Sequence, residues 1–156
     1  MEELVKTIRT TSEDADFRNL VQLLDEELAL RDGDLHPFYA RFNRLEGIRN
    51  VAVFYSGGAA VGCGALRRFD DDTVEIKRMF VLTEFRGKGI GAEILKELES
   101  WAAELDYSQS ILETGKKQPE AIRLYQKAGY ETIPNFGQYA MTENSICLKK
   151  RISNIP

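Results

Sequence analysis

The chain of 156 residues is poor in the side chains that most often carry polar chemistry: it has one histidine and two cysteines. A lone His36 excludes an HExxH zinc site and leaves a Ser–His–Asp triad little to draw on. Acid–base work therefore falls to carboxylates, tyrosine, lysine or cysteine. Cys63 and Cys147 stand in apolar runs without CxxC spacing and read as reduced core thiols. No apolar run approaches the ~18 residues of a membrane span, and the acidic start Met1–Lys6 lacks the apolar stretch of a signal peptide. The expectation is a soluble cytoplasmic protein that engages no membrane. Positive charge is also short: 21 Lys and Arg face 25 Asp and Glu, a net charge of −4. That balance lacks the basic excess of a general nucleic-acid binder. What remains, 43% hydrophobic and 29% charged, is a globular mixture. It suits one domain over 1–156, long enough to bury a core without staples.

Hydrophobic spacing orders the elements. Leu4–Thr10 alternates as a strand. Thr11–Asp14 offers a helix start, and Phe17, Leu20, Val21, Leu24 and Leu28 predict a helix running to about Arg31. His36–Leu45 reads as a second, shorter helix with Pro37 in its first turn. Val51–Tyr55, Ala59–Leu66 and Thr73–Leu82 read as a three-strand meander. Gly62 and Gly64 in its second strand predict a bulge or a close backbone approach. Ile90, Ile94, Leu95, Leu98, Trp101 and Leu105 make the clearest amphipathic helix. Ser110–Leu112, a helix over Pro119–Ala128 stopped by Gly129, and strands Glu131–Ile133 and Glu143–Arg151 complete the chain. The order β-α-α-β-β-β-α-β-α-β-β predicts an α+β fold with a mixed sheet, because Arg49–Leu82 has no room for crossover helices.

The stretch Arg86-Gly87-Lys88-Gly89-Ile90-Gly91-Ala92 lies between a strand and the strongest helix. Glycines leave backbone N–H groups uncrowded, a helix start adds free donors and the positive end of its dipole, and Arg86 and Lys88 add charge. Together they suit a diphosphate. The Gly-Lys-Ser/Thr ending of a Walker A loop is missing. Gly87, Gly89 and Ala92 also fit G-x-G-x-x-A, with Glu113 roughly 20 residues on, which keeps a dinucleotide-binding oxidoreductase as a rival. Against that rival, Leu82–Arg86 separates strand from helix, and the entering strand belongs to a meander. In the third strand of the meander, Val74 and Ile76 share a face that Arg78 would have to continue: either Arg78 faces the cleft or a bulge breaks the register.

Arg86–Gly91 resembles the R/Q-x-x-G-x-G/A motif of the GNAT superfamily of acyl-CoA-dependent N-acetyltransferases. Glu75–Val81 is similar to that family's central strand, and Ala121–Tyr130 to its A-x-x-L-Y-x-K-x-G-F/Y segment. The element order matches the GNAT fold across nearly the whole chain. Gln118 stands where many members carry Asn. The resemblance also implies a bulge in the central strand.

The resemblance implies acetyl-CoA as cosubstrate, with no metal. It places the pantetheine arm along Met79, Phe80 and Val81, and the pyrophosphate on Arg86, Gly87, Lys88, Gly89, Ile90 and Gly91. Gln118 and Tyr125 would lie beside the cofactor. Glu75 falls where several members carry a general base, direct or through water, and Tyr125 where a tyrosine is commonly assigned to protonate the departing sulfur. A backbone N–H near Met79 would meet the oxyanion. Lys77, Arg78 and Glu113 would touch the substrate or line the sheet. Glu27–Phe42 and Pro134–Glu143 would select the acceptor: Arg31, Arg41, Arg44 and Arg49 suit a carboxylate, Asp32 and Asp34 an amine. The expected reaction is direct transfer of acetyl to a primary amine of a small or amino-acid-like molecule. A non-catalytic acyl-CoA-binding module on the same fold is the alternative, and a homodimer is left open.

Overall fold

The structure is a computed structural model that describes residues 4–32, 48–116 and 118–152, with residues 31 and 32 described by their backbone alone. The helix expected over His36–Leu45 lies outside the described residues, as do Arg41 and Arg44. The elements are β1 (Val5–Thr10), α1 (Ala15–Asp32), β2 (Ile48–Ser56), β3 (Ala59–Arg68), β4 (Thr73–Val81), α2 (Ile90–Glu104), β5 (Gln109–Gly115), α3 (Pro119–Lys127), β6 (Glu131–Ile133) and β7 (Ser145–Arg151). Short 3₁₀ turns stand at Thr83–Phe85 and Gly137–Tyr139.

The seven strands form one sheet in the order β1-β2-β3-β4-β5-β7-β6. All neighbours are antiparallel except β4 and β5, which are parallel and joined through α2. Several strand ends depart from the sequence reading, β2 for example running over Ile48–Ser56, and two of them have a plain cause. The strand core at Ser110–Leu112 extends over Gln109–Gly115, because β7 pairs with all seven residues. The last strand begins at Ser145 rather than Glu143, because Asn135 draws the chain into a turn by donating to the Thr142 and Ser145 carbonyls at 2.9 and 3.1 Å. At the α1 start the cap is the Asp14 carboxylate, which accepts from the Phe17 N–H at 3.0 Å.

The sheet separates two apolar layers. On one face α1 sets Phe17, Leu20, Val21 and Leu24 against Val51, Val53, Cys63, Ala65 and Phe80. On the other, α2 sets Ile90, Ile94, Leu95 and Leu98 against Ala52, Phe54, Val61, Leu66, Val74 and Ile76. Gly64 shows how closely α2 approaches: a Cβ there would stand 2.7 Å from Leu98 and 2.5 Å from the Met79 sulfur. Both sequence readings of the β3 glycines hold, since register shifts also occur beside them, between Phe54 and Tyr55 and between Cys63 and Ala65.

The second of those shifts positions the site. Two steps along β3, Cys63 to Ala65, are matched by three along β4, Lys77 to Phe80. The extra residue is taken up at Arg78, whose φ of 59° lies in the left-handed region. Beyond the bulge the alternation resumes with Met79 and Val81 packed toward α2 and Phe80 toward α1. The sequence alternatives for Arg78 therefore both apply: the bulge is present, and the Arg78 side chain is buried on the α1 face, paired with Asp25 and reaching the Val21 carbonyl at 3.4 Å.

Candidate active site

A strand that bulges and twists parts from its neighbour. β4 and β5 pair only from Thr73–Gln109 to Glu75–Ile111. From Ile76 onward, β4 has no strand on its β5 side among the described residues. The opening holds two connected spaces.

The larger is a groove of about 540 Å³. The end of β4 (Met79, Phe80, Val81), the loop Phe85–Gly87, the start of α2 (Gly89, Ile90, Gly91, Ala92) and the face of α3 (Gln118, Ala121, Leu124, Tyr125) enclose it. Gly87 and Gly89 have φ of 78° and 82°, and a Cβ on either would meet nothing within 4 Å, so the loop backbone lies open to the groove. Gly89 is the N-cap of α2, and the first intrahelical bond runs from Glu93 N–H to its carbonyl at 3.1 Å. The N–H groups of the first helical turn therefore have no carbonyl partner inside the helix. Lys88 stands with Nζ 5.2 Å from the Phe85 ring centre. Arg86 is engaged elsewhere: its guanidinium contacts Glu27 at 2.9 and 3.0 Å, and its Nε donates to the Val81 carbonyl at 2.8 Å. The cationic spot expected from the sequence is thus offset locally by one carboxylate of α1.

The smaller space, about 120 Å³, lies under the splayed strands. Glu75, Lys77 and Arg78 of β4, Glu113 of β5 and Tyr139 line it. Lys77 Nζ stands 3.5 Å from Glu75 Oε2 and donates to the Tyr139 hydroxyl at 3.2 Å. Glu113 accepts from the Ser145 hydroxyl at 3.2 Å. Met79, Gln118, Ala121 and Tyr125 line both spaces, so the groove and the cavity meet at these residues. The Tyr125 phenol is held well above its ordinary range, first by burial and then by the Glu113 charge. The Tyr139 phenol is raised by burial, with Glu113 and Glu75 adding to it. Both stay protonated at neutral pH and can donate. Burial pushes the Cys63 thiol up to about 12 and the Cys147 thiol to about 11, which removes either as a nucleophile at neutral pH.

The sequence matches the Acetyltransferase (GNAT) family over residues 15–130. The chain belongs to that family. It is 34% identical to the IAA acetyltransferase of Azospirillum brasilense over 149 residues, covering 90% of this chain and 96% of that protein. It is 28% identical to the uncharacterized N-acetyltransferase YsnE of Bacillus subtilis, covering 90% and 97%. Among solved structures, one from Klebsiella pneumoniae named for the acyl-CoA N-acyltransferases superposes with a TM-score of 0.81 at 28% identity, covering 96% of this chain and 99% of that one. A GNAT structure from Elizabethkingia anophelis, solved with acetyl-CoA bound, shares the fold with a TM-score of 0.68 at 22% identity, covering 94% and 97%. The chain is therefore an acetyl-CoA-dependent acyltransferase of the GNAT fold.

The groove fits such a cosubstrate on its own geometry. It pairs an open Gly87–Gly89 backbone and a helix start, suited to a diphosphate, with an apolar wall of Val81, Ile90 and Leu124 and a strand edge that has no neighbour among the described residues. Of the residues named from the sequence, Phe80, Val81, Arg86, Gly87, Gly89, Ile90 and Gly91 line the groove, Glu75 lines the cavity, Met79, Gln118 and Tyr125 line both, and Lys88 lines neither. Tyr139 was missed as an individual residue. Its only sequence signal is a Phe-Gly-Gln-Tyr cluster in an otherwise polar loop. Arg49 is exposed on β2, and His36 and Asp34 lie outside the described residues. No described helix is long and apolar enough to cross a membrane.

Proposed function

We propose that the protein transfers acetyl from acetyl-CoA to the primary amine of a small acceptor by direct attack on the thioester, with Glu75 and Tyr125 as the proton-handling groups. The observation that carries this reading is that Tyr125 lines both spaces, while Glu75 lies in the smaller one. A donor in the groove and an acceptor in the cavity would meet at Tyr125 and Met79.

The cosubstrate supplies an activated acetyl carbon. Gly87, Lys88, Gly89 and the first turn of α2 would hold its diphosphate through N–H donors. Arg86 would join them once it leaves Glu27. The open edge of β4 at Met79–Val81 would pair with the amide-bearing arm. Glu75 takes a proton from the acceptor ammonium, directly or through one water. The freed amine bonds to the acetyl carbon, an N–H near Met79 receives the oxyanion, and the carbon–sulfur bond breaks as Tyr125 gives its proton to the sulfur; the second proton shed by the nitrogen restores Tyr125, and Glu75 releases the first to solvent. One ammonium and one thioester become one amide, one thiol and one released proton. Each positioned acid or base is worth about 10²–10⁴-fold.

The test is thiol release with a panel of small primary amines at saturating acetyl-CoA. Acceptor-dependent release is expected. Acetyl-CoA binding without release across the panel would instead favour a non-catalytic acyl-CoA-binding module.

A further inference from the structure

Three buried polar atoms on one strand go unmatched around one small cavity. Glu75 Oε2 accepts no hydrogen bond, although the Lys77 ammonium pairs with it at 3.5 Å, and Arg78 Nε and Nη1 donate none, among the described residues. Both side chains are sealed from solvent, at 6% and 2% exposure. Both residues line the cavity of about 120 Å³ that meets the groove at Tyr125. Buried groups short of hydrogen-bond partners are rare in native proteins, because each forfeits part of its hydration. A charged one costs more still.

The bulge is what gathers them. In a regular strand, residues 75 and 78 would face opposite sides of the sheet. The extra residue at Arg78 turns its side chain to the α1 face, which Glu75 and Lys77 already share. The left-handed backbone at a bulky residue is itself unfavourable. Asp25 and the Val21 carbonyl hold the guanidinium through Nη2 alone, leaving Nε and Nη1 as the free donors. A carboxylate without a full complement of donors and a guanidinium without a full complement of acceptors thus stand three residues apart. A group that satisfies both carries a cation and an anion of its own.

We infer that the acceptor is a small amino acid, whose ammonium lies against Glu75 and whose carboxylate is received by Arg78. The cavity is compact, at about 120 Å³, which suits a small acceptor. Arg78 is then a specificity residue. It binds the end of the acceptor that does not react, through planar donors suited to a carboxylate. Glu75 keeps the role given above, so the inference rests on the acetyl-transfer reading and narrows its substrate.

The experiment compares amino acids with matched amines that lack the carboxylate, and with the corresponding amides, by thiol release at saturating acetyl-CoA. The wild-type enzyme is expected to favour the charged amino acid by about ten- to a hundredfold in kcat/KM, as suits a hydrogen-bonded charge pair. In Arg78→Asn, chosen because Asn tolerates the left-handed backbone, that ratio is expected to fall toward one, with the loss carried by KM for the amino acid. Arg78→Lys keeps the charge but not the planar donors, and should give an intermediate ratio. Retained thermal stabilisation by acetyl-CoA shows that either variant is folded. Wild-type enzyme that uses plain amines as well as amino acids, or a folded variant with the wild-type ratio, overturns the inference and leaves acetyl transfer standing. The absence of release with every acceptor tested overturns both.

Discussion

Arg86 grips both carboxylate oxygens of Glu27, at 2.9 and 3.0 Å, and gives its Nε to the Val81 carbonyl at 2.8 Å. This ties α1 to the loop ahead of α2 at the rim of the groove, since Glu27 and Arg86 both line it. In a groove for a diphosphate, Glu27 competes for the same cation. Glu27→Gln removes the competing charge at nearly constant size. Both groups are partly exposed, so solvent screening limits the effect to a few tenths of a kcal/mol up to about 1 kcal/mol. CoA should bind about two- to fivefold more tightly to the variant by titration calorimetry, and the gain should shrink at high salt. Equal affinity would show that Arg86 does not exchange partners.

Tyr125 lies where groove and cavity meet, and its phenol is held above its ordinary value by burial and by Glu113. Tyr125→Phe should lower kcat about tenfold to a hundredfold and leave the CoA dissociation constant within about twofold, because the ring remains to pack against Tyr130. The raised pKa also has a consequence for stability. The folded state holds this proton more tightly than the unfolded chain does. Its contribution is fully present below the unfolded value near 10 and is lost as pH rises above it. Denaturant midpoints should therefore fall more steeply above pH 10 in wild type than in Tyr125→Phe.

Two glycines should separate folding from binding. At Gly64 an added methyl meets Met79, Leu98 and Ile94 at 2.5, 2.7 and 3.0 Å, so Gly64→Ala should destabilise by about 1–3 kcal/mol through overpacking. At Gly89 nothing stands within 4 Å, but φ is 82°. Gly89→Ala should cost only about 1 kcal/mol in stability. It should nonetheless weaken CoA at least several-fold, because its methyl enters the space where a diphosphate would approach the backbone. Thermal melts with and without CoA distinguish the two. A Gly89→Ala enzyme with wild-type CoA affinity would remove the loop from the binding site.

Much of this architecture is legible in the sequence because each part has a local cause. Apolar spacing of three and four marks α1 and α2, Pro119 and Gly129 bracket α3, and the glycines at 87, 89 and 91 mark the loop. What is not legible arises between elements. The Ser145 start of β7 depends on Asn135 bonding across ten residues. The pairing of Arg86 with Glu27 spans 59 positions. Arg78 could be flagged as a break in alternation, but only the β3 register decides that it bulges and still points toward α1. Tyr139 reaches Lys77 from 62 residues away, a meeting no local pattern announces.

The two thiols give a prediction that needs no substrate. Cys63 and Cys147 are buried without a disulfide, and burial pushes them to about 12 and about 11. At Cys63 the Arg78 charge pulls the other way but does not prevail. The thiolate is the reactive form, so at pH 8 the native protein presents almost none. Iodoacetamide at that pH should add nothing to the native protein over an hour and two labels in guanidinium chloride, read by intact mass. Acetyl-CoA should slow any native labelling further, since a ligand that binds only the folded state lowers the open population. The stability sign follows from the same shifts. Thiol pKa values raised on folding contribute fully below about 8.5, the unfolded value, and their contribution disappears as pH rises toward 11 and 12. Rapid labelling of either cysteine at pH 8 in an otherwise folded chain would show that the sheet interior around β3 and β7 opens far more readily than its packing implies.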